Sequence, residues 1–312
     1  MALVLLVQLF RREHFDIVHS HFPKSGLLGM IAAWLTRVPI RIHTFHGEVW
    51  ATRTGWRQSI LKAFDRLVVW MATDVLTVSV SQQHFLVREG VISKGQSRVI
   101  GAGSICGIDP LRFHPDPTIR RTTREDLGIG QHTKLILFVG RLNRDKGVPD
   151  LAKAFVSISR RQPDVALLLV GTQEDVLFSE VQEMCGVYRS RIYYKNFTST
   201  PEHYMAAADV FCLPSYREGF GMTLIESAAC GVPAVASRIS GIVDAVSEGE
   251  TGLLFTPANV AELTRALLTL ISDEPLRQHM GALARSRALE LFAADKITAE
   301  VLAFYDTLSE NR

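Results

Sequence analysis

Cysteine is scarce in this sequence and shows no paired spacing. The 312 residues hold four, Cys106, Cys185, Cys212 and Cys230, with no CxxC among them. That leaves no disulfide framework to read and suits a reducing, cytoplasmic setting. Cys212 and Cys230 fall in apolar stretches and read as buried thiols. No run reaches the ~18 apolar residues that a membrane-crossing helix requires. The opening MALVLLVQLF is apolar, but no basic segment precedes it and no small-residue cleavage site follows. Arg11, Arg12 and Glu13 come directly after, so it reads as an amphipathic helix and not a signal peptide. The net charge is only +2, too mild to argue for a nucleic-acid partner. No GxGxxG follows a strand, which disfavours a dinucleotide oxidoreductase. Internal repeats and low-complexity segments are absent.

What remains is ordinary globular composition, 47% hydrophobic and 21% charged. At ~100–200 residues per domain, the length suggests two domains. Strand and helix patterns alternate from DIVHS (16–20) through a strand at Ile40–Phe45, a helix at about Trp56–Ala72, a strand at Asp74–Ser79 and a helix at Ser81–Glu89 capped by Ser81. Residues 109–131 hold three prolines and many charges, and read as the connection between domains. The alternation then restarts with Lys134–Val139, and the chain closes on helices at about Val260–Ser272, Glu274–Leu291 and Lys296–Leu308. Such alternation predicts an α/β architecture of two doubly wound, Rossmann-like domains. Their ligand would lie in a cleft at the carboxyl ends of the strands.

The stretch Val210–Ala236, VFCLPSYREGFGMTLIESAACGVPAVA, concentrates the chemistry. A short buried strand leads into a loop with two glycines, then a helix from Met222 that stops at Gly231, with Pro233 beyond. Strand, glycine loop and helix start in that order make an anion site, because N–H groups and the helix dipole converge there. Glu218 and Glu226 bracket the site. A carboxylate beside phosphates should accept hydrogen bonds from hydroxyls, which suits a ligand with a diphosphate between hydroxyl-rich groups. A nucleotide-sugar is such a ligand. On local pattern alone, Glu226 fits equally a carboxylate complementing the helix dipole, and Glu218 a solvated one.

Gly140 and Arg141 follow the Lys134–Val139 strand directly, with Lys146 five residues beyond Arg141. These two cations either reach a common polyanion or lie as surface charges in a loop. The chain has no Asp-x-Asp pair of the kind that holds a divalent ion in many sugar transferases. Arg141, Lys146 and the Met222 helix start could neutralise a diphosphate instead, which implies a site without metal. His46 ends the Ile40–Phe45 strand, where it would hydrogen-bond a reacting sugar or serve structure. His19 and His21 share a strand face without an evident third metal ligand, and His43 reads as core.

TFHG (44–47), GRLNRDKG (140–147) and EGFGMTLIE (218–226) followed by ACGVPAVAS resemble glycosyltransferase family 4 over nearly the whole chain. The family's members are retaining enzymes of the two-domain GT-B fold. The resemblance implies an acceptor-side domain at 1–112 that lacks its first strand, glycine loop and helix. It implies a donor-binding domain at 113–295, with the helix 296–312 completing the first domain. It further implies that Arg141 and Lys146 bind the donor diphosphate, together with the backbone of Gly221, Met222 and Thr223. Glu218 and Phe220 would contact the donor sugar, Glu226 the ribose, Gly171 would open a loop near the base, and His46 and Glu218 would act at the transferred sugar. No protein nucleophile, metal or resident cofactor is implied. The co-substrate would be a nucleotide-sugar, foremost a UDP-sugar, with a glycan or lipid-linked acceptor in cell-surface polysaccharide synthesis. GAGSICGID (101–109) resembles a pattern of polysaccharide-building members, with Cys106 in place of the usual Asn. Trp50, Trp56 and the cations Arg53, Arg57, Lys62 and Arg66 suggest contact with the inner face of the cytoplasmic membrane or a solvated helix. Two other functions fit these motifs: a nucleotide-sugar 2-epimerase of the same fold, and a truncated, non-catalytic nucleotide-sugar binder.

Overall fold

Lys134–Val139 and Val165–Val170 are continuous apolar runs, and such runs become strands covered on both faces of a parallel sheet. The computed structural model describes residues 1–104 and 106–310. In chain order the first elements are α1 (Ala2–Glu13), β1 (Ile17–Ser20), α2 (Pro23–Leu35), β2 (Ile40–Phe45), α3 (Gly55–Met71), β3 (Asp74–Thr77), α4 (Val80–Arg88) and β4 (Ser97–Val99). Next come α5 (Pro117–Leu127), β5 (Lys134–Val139), α6 (Val148–Ser159), β6 (Val165–Val170), α7 (Phe178–Cys185), β7 (Ile192–Lys195), α8 (Pro201–Ala207) and β8 (Val210–Leu213). The chain ends with α9 (Met222–Ala229), β9 (Ala234–Ser237), α10 (Ile242–Ala245), β10 (Gly252–Phe255), α11 (Val260–Ser272), α12 (Glu274–Phe292) and α13 (Ala294–Glu310).

The chain divides into two units. Unit 1 groups the described residues of Met1–Cys106, Arg217–Phe220 and Asp295–Arg312. Its parallel sheet runs β1-β2-β3-β4, so β1 is an edge strand. Ile40, Ile42 and Leu76 pack against Phe304 of α13, while Val68 and Met71 of α3 pack against Met30 of α2. Unit 2 groups Gly107–Tyr216 and Gly221–Ala294. Its parallel sheet runs β10-β9-β8-β5-β6-β7. The chain winds outward from β5 to β7, returns to β8 beside β5, then winds the other way to β10. Between β5 and β8 lies the point where winding reverses, the place at which open α/β sheets bind their ligands.

Two local readings of the sequence change. Ser79, not Ser81, caps α4, its side chain accepting from the Gln82 amide, because β3 ends early enough to leave Ser79 extended. The segment 109–131 carries the 11-residue helix α5, capped by Asp116 at its start and Gly128 at its end. That helix is anchored by a buried cation. Arg124 is 0% exposed, donates to the carbonyls of Ala207, Gly130 and Thr133, and pairs with Asp209 at 2.6 Å.

Candidate functional site

Unit 2 brings the expected phosphate-side residues to the reversal point of its sheet. Gly140 and Arg141 leave the end of β5, Gly171 leaves β6, and the loop toward Gly221 leaves β8. Two glycines let these loops touch. A Cβ on Gly147 would stand 2.0 Å from the Pro214 carbonyl oxygen, which presses the β5 loop onto the β8 loop. A Cβ on Gly171 would stand 2.0 Å from the Gly140 carbonyl oxygen, so the ends of β5 and β6 meet backbone to backbone. Gly147 and Gly171 also hold φ of +70° and +139°, conformations that side chains other than glycine's rarely permit.

Arg141 pairs with Glu174 at 2.7 Å, and Asn143 Nδ2 donates to the same carboxylate at 2.5 Å. These bonds, the Asn143 one foremost, hold the Glu174 carboxyl below its ordinary range. Asn143 is itself buried, and its Oδ1 accepts from the Lys146 amide at 2.8 Å. One amide thus ties together the two stretches that carry Arg141 and Lys146. Gly221 holds φ +70° and opens α9, whose start has no side-chain cap, with Met222 and Thr223 as its first two residues. At its other end α9 is clamped by α12, where a Cβ on Gly281 would meet the Gly231 carbonyl at 2.2 Å.

Glu226 sits four residues into α9. Burial drives its carboxyl up to about 7; Arg112 opposes the rise and Glu202 adds to it. Arg112 and Glu202 pair at 2.8 Å. A half-protonated carboxyl at neutral pH can exchange hydrogen bonds with hydroxyl groups in either direction.

Unit 1 brings His46 and Glu218 together. His46 leaves β2 and His21 leaves the adjacent parallel strand β1, and His21 Nδ1 and His46 Nε2 lie 2.9 Å apart. Burial, with His21 beside it, lowers His46 to about 4, so the ring is neutral at pH 7. The Phe22 ring stacks on it at 5.8 Å. The turn carrying Glu218 rests on the same place, since a Cβ on Gly47 would lie 3.1 Å from the Gly219 amide and 3.5 Å from the Glu218 carbonyl carbon. Phe220 is 1% exposed and its ring packs beside Gly103, so the ring serves the core and leaves only its backbone for a ligand.

His19 and His43 are tied into the packing of the first sheet. His19 bonds Thr44 at 2.7 Å and Tyr305 at 2.6 Å, and His43 is buried against the Ser20 hydroxyl. Among the described residues no group of three or more His, Cys, Asp or Glu side chains could hold a metal ion. Sequence reading missed Glu174, Asn143, Arg112, Glu202 and His21 as partners of the site. Only His21 carried a usable signal: residues just past adjacent parallel strands become neighbours. The motif 101–109 includes Ile105, which lies outside the described residues.

Comparison with known proteins gives a consistent result. Residues 119–287 match the family described as glycosyl transferases group 1, and residues 1–103 match the glycosyl transferase 4-like domain. The capsular polysaccharide biosynthesis glycosyltransferase CapM of Staphylococcus aureus is 30% identical, over 98% of this chain and 80% of CapM. A D-inositol 3-phosphate glycosyltransferase of Corynebacterium glutamicum is 30% identical, over 98% of this chain and 76% of that protein. Among solved structures, the sucrose-phosphate synthase of Thermosynechococcus elongatus superposes with TM-score 0.81 at 25% identity, covering 98% of this chain and 78% of that one. Anabaena HepE in complex with UDP superposes with TM-score 0.82 at 22% identity, covering 98% and 82%.

Proposed function

This chain belongs to the group 1 glycosyltransferases of family 4, with the GT-B fold, and on that premise we propose that it moves a sugar from a nucleoside-diphosphate sugar to a glycan or lipid-linked acceptor, with retention at the anomeric carbon. The observation that carries this reading is the reversal point in unit 2. There Arg141, the loop of Lys146 and the start of α9 come to the carboxyl ends of β5 and β8. Two cations and a helix start suit a diphosphate. They supply positive charge where a divalent ion would otherwise be needed, so transfer proceeds without metal. Glu226, poised near neutrality, takes the ribose hydroxyls. HepE was solved with UDP, which favours a UDP-sugar here. CapM's role in capsular polysaccharide synthesis favours a surface-glycan acceptor.

Within unit 1, Glu218 and His46 form the sugar-side pair. At pH 7 His46 is a neutral hydrogen-bonding group, and a ring that protonates only near 4 is too weak a base to take up the acceptor's proton. The acceptor proton therefore passes to the leaving phosphate. The bond between the anomeric carbon and the phosphate oxygen breaks, the bond to the acceptor oxygen forms on the same face, and the phosphate oxygen ends with the proton. Thermal unfolding with UDP-, GDP- and ADP-sugars in chelator tests the reading. A rise in Tm with a UDP-sugar supports it. No rise with any donor, or a rise only with added divalent ion, overturns it.

A further inference from the structure

We propose that the paired faces of α2 and α3 in unit 1 are a docking surface for an anionic phospholipid bilayer. Trp56, Ile60, Phe64, Leu67 and Trp70 recur at helical spacing along α3 and are 39% to 69% exposed, although large apolar residues on that spacing ordinarily face a core. Trp34 of α2, also exposed, lies with its ring 5.4 Å from that of Trp70 and extends the stripe onto the second helix. Beside it lies a largely apolar cavity of about 350 Å³, whose lining includes Leu27, Val49, Phe64 and Lys24. A contiguous apolar surface of this kind on a folded protein marks an interaction site.

Charge selects the occupant. Residues 23–37 and 49–71 carry six cations, Lys24, Arg37, Arg53, Arg57, Lys62 and Arg66, and one acid, Asp65. Asp65 is engaged by the Trp50 indole at 2.7 Å, and Lys62 is paired with Glu89 at 2.5 Å. Lys24, Arg37, Arg53, Arg57 and Arg66 are exposed. The whole chain has a net charge of only +2, so the cations concentrate here and leave the remainder net negative. At 3.6 residues per turn, Arg57 and Arg66 fall on opposite margins of the α3 stripe. Aromatic rings between flanking cations are the pattern of a helix lying in a bilayer interface, rings among the acyl chains and cations among the headgroups. No helix among the described residues is long and apolar enough to cross a membrane, so the contact is peripheral.

The test needs no sugar donor and stands apart from the transferase reading. Sedimentation with vesicles of phosphatidylcholine containing phosphatidylglycerol is compared with pure phosphatidylcholine. The full chain should partition at least about tenfold better onto the anionic vesicles, with loss at high salt. Its tryptophan emission should shift to shorter wavelength on binding. Trp56→Glu with Trp70→Glu, and separately Arg53→Glu with Arg57→Glu, should each weaken partition about tenfold or more while Val187→Glu, at an exposed site in unit 2, leaves it unchanged. Two independent pairs keep the test open if one variant misfolds. Equal partition of the full chain and both pairs, no vesicle binding, or a dimer that the tryptophan pair dissolves would each overturn the proposal; the last would make a second copy the occupant.

Discussion

A Cβ built on Gly219 would stand 2.1 Å from the carbonyl oxygen of His46. The turn bearing Glu218 is thus fastened to the end of β2 through contact of one backbone with another, and Gly47, at φ +114°, completes the contact from the other side. Gly219→Ala must push the turn away from the strand end. It should lower unfolding stability by about 1–3 kcal/mol and cost transfer activity by displacing Glu218. Gly249→Ala serves as the control, because that glycine also has positive φ but no neighbour within 4 Å. The control should lose stability through backbone strain and keep the activity of the folded fraction.

The raised carboxyl of Glu226 predicts a pH dependence of donor binding. Its ionised form is the better acceptor for ribose hydroxyls, and it becomes dominant above about 7. UDP affinity should therefore climb between pH 6 and pH 8 by up to about tenfold. Glu226→Gln should flatten the profile. A flat profile in the unaltered protein would remove Glu226 from the ribose site.

Glu48 predicts a pH dependence of stability in unit 1. It is buried, accepts from Gln82 at 2.9 Å, and burial raises its carboxyl to about 7. A folded-state pKa above the unfolded one means that the stabilisation is complete below the unfolded value and fades as pH rises through about 7. Asp65, raised by burial to about 6, adds in the same direction. His19, His43 and His46, each lowered by burial, act in the opposite direction. The Glu48 part is therefore read as the difference in urea unfolding between the unaltered protein and Glu48→Gln, which should move by on the order of 3 kcal/mol against the unaltered protein between pH 4 and pH 8.

Much of the fold was legible because local signals agreed with burial. The run Leu135–Phe138 is apolar and fully buried, and α11 begins where Asn259 caps it. Helix α5 was hidden because its anchor is a cation. Arg124 reads in sequence as a solvated charge, yet its partners Ala207 and Asp209 are more than 80 residues away. The choice between Ser79 and Ser81 turned on where β3 stopped pairing with β2, a matter of sheet register. The site shows the same division. Arg141, Lys146 and Glu226 were visible because strand ends and helix starts fix their places. Glu174 and Arg112 were invisible as partners, since chain folding alone brings them to Arg141 and Glu226.

The account turns on the diphosphate being held by protein cations and a helix start. Calorimetric titration of UDP in excess chelator, into the unaltered chain and into Arg141→Ala and Lys146→Ala, tests this most directly. Each variant should bind UDP about tenfold more weakly or worse, as expected for loss of one charge-assisted contact, while uridine affinity stays level. Equal UDP affinity in all three proteins, or binding that appears only when divalent ion is restored, would contradict it.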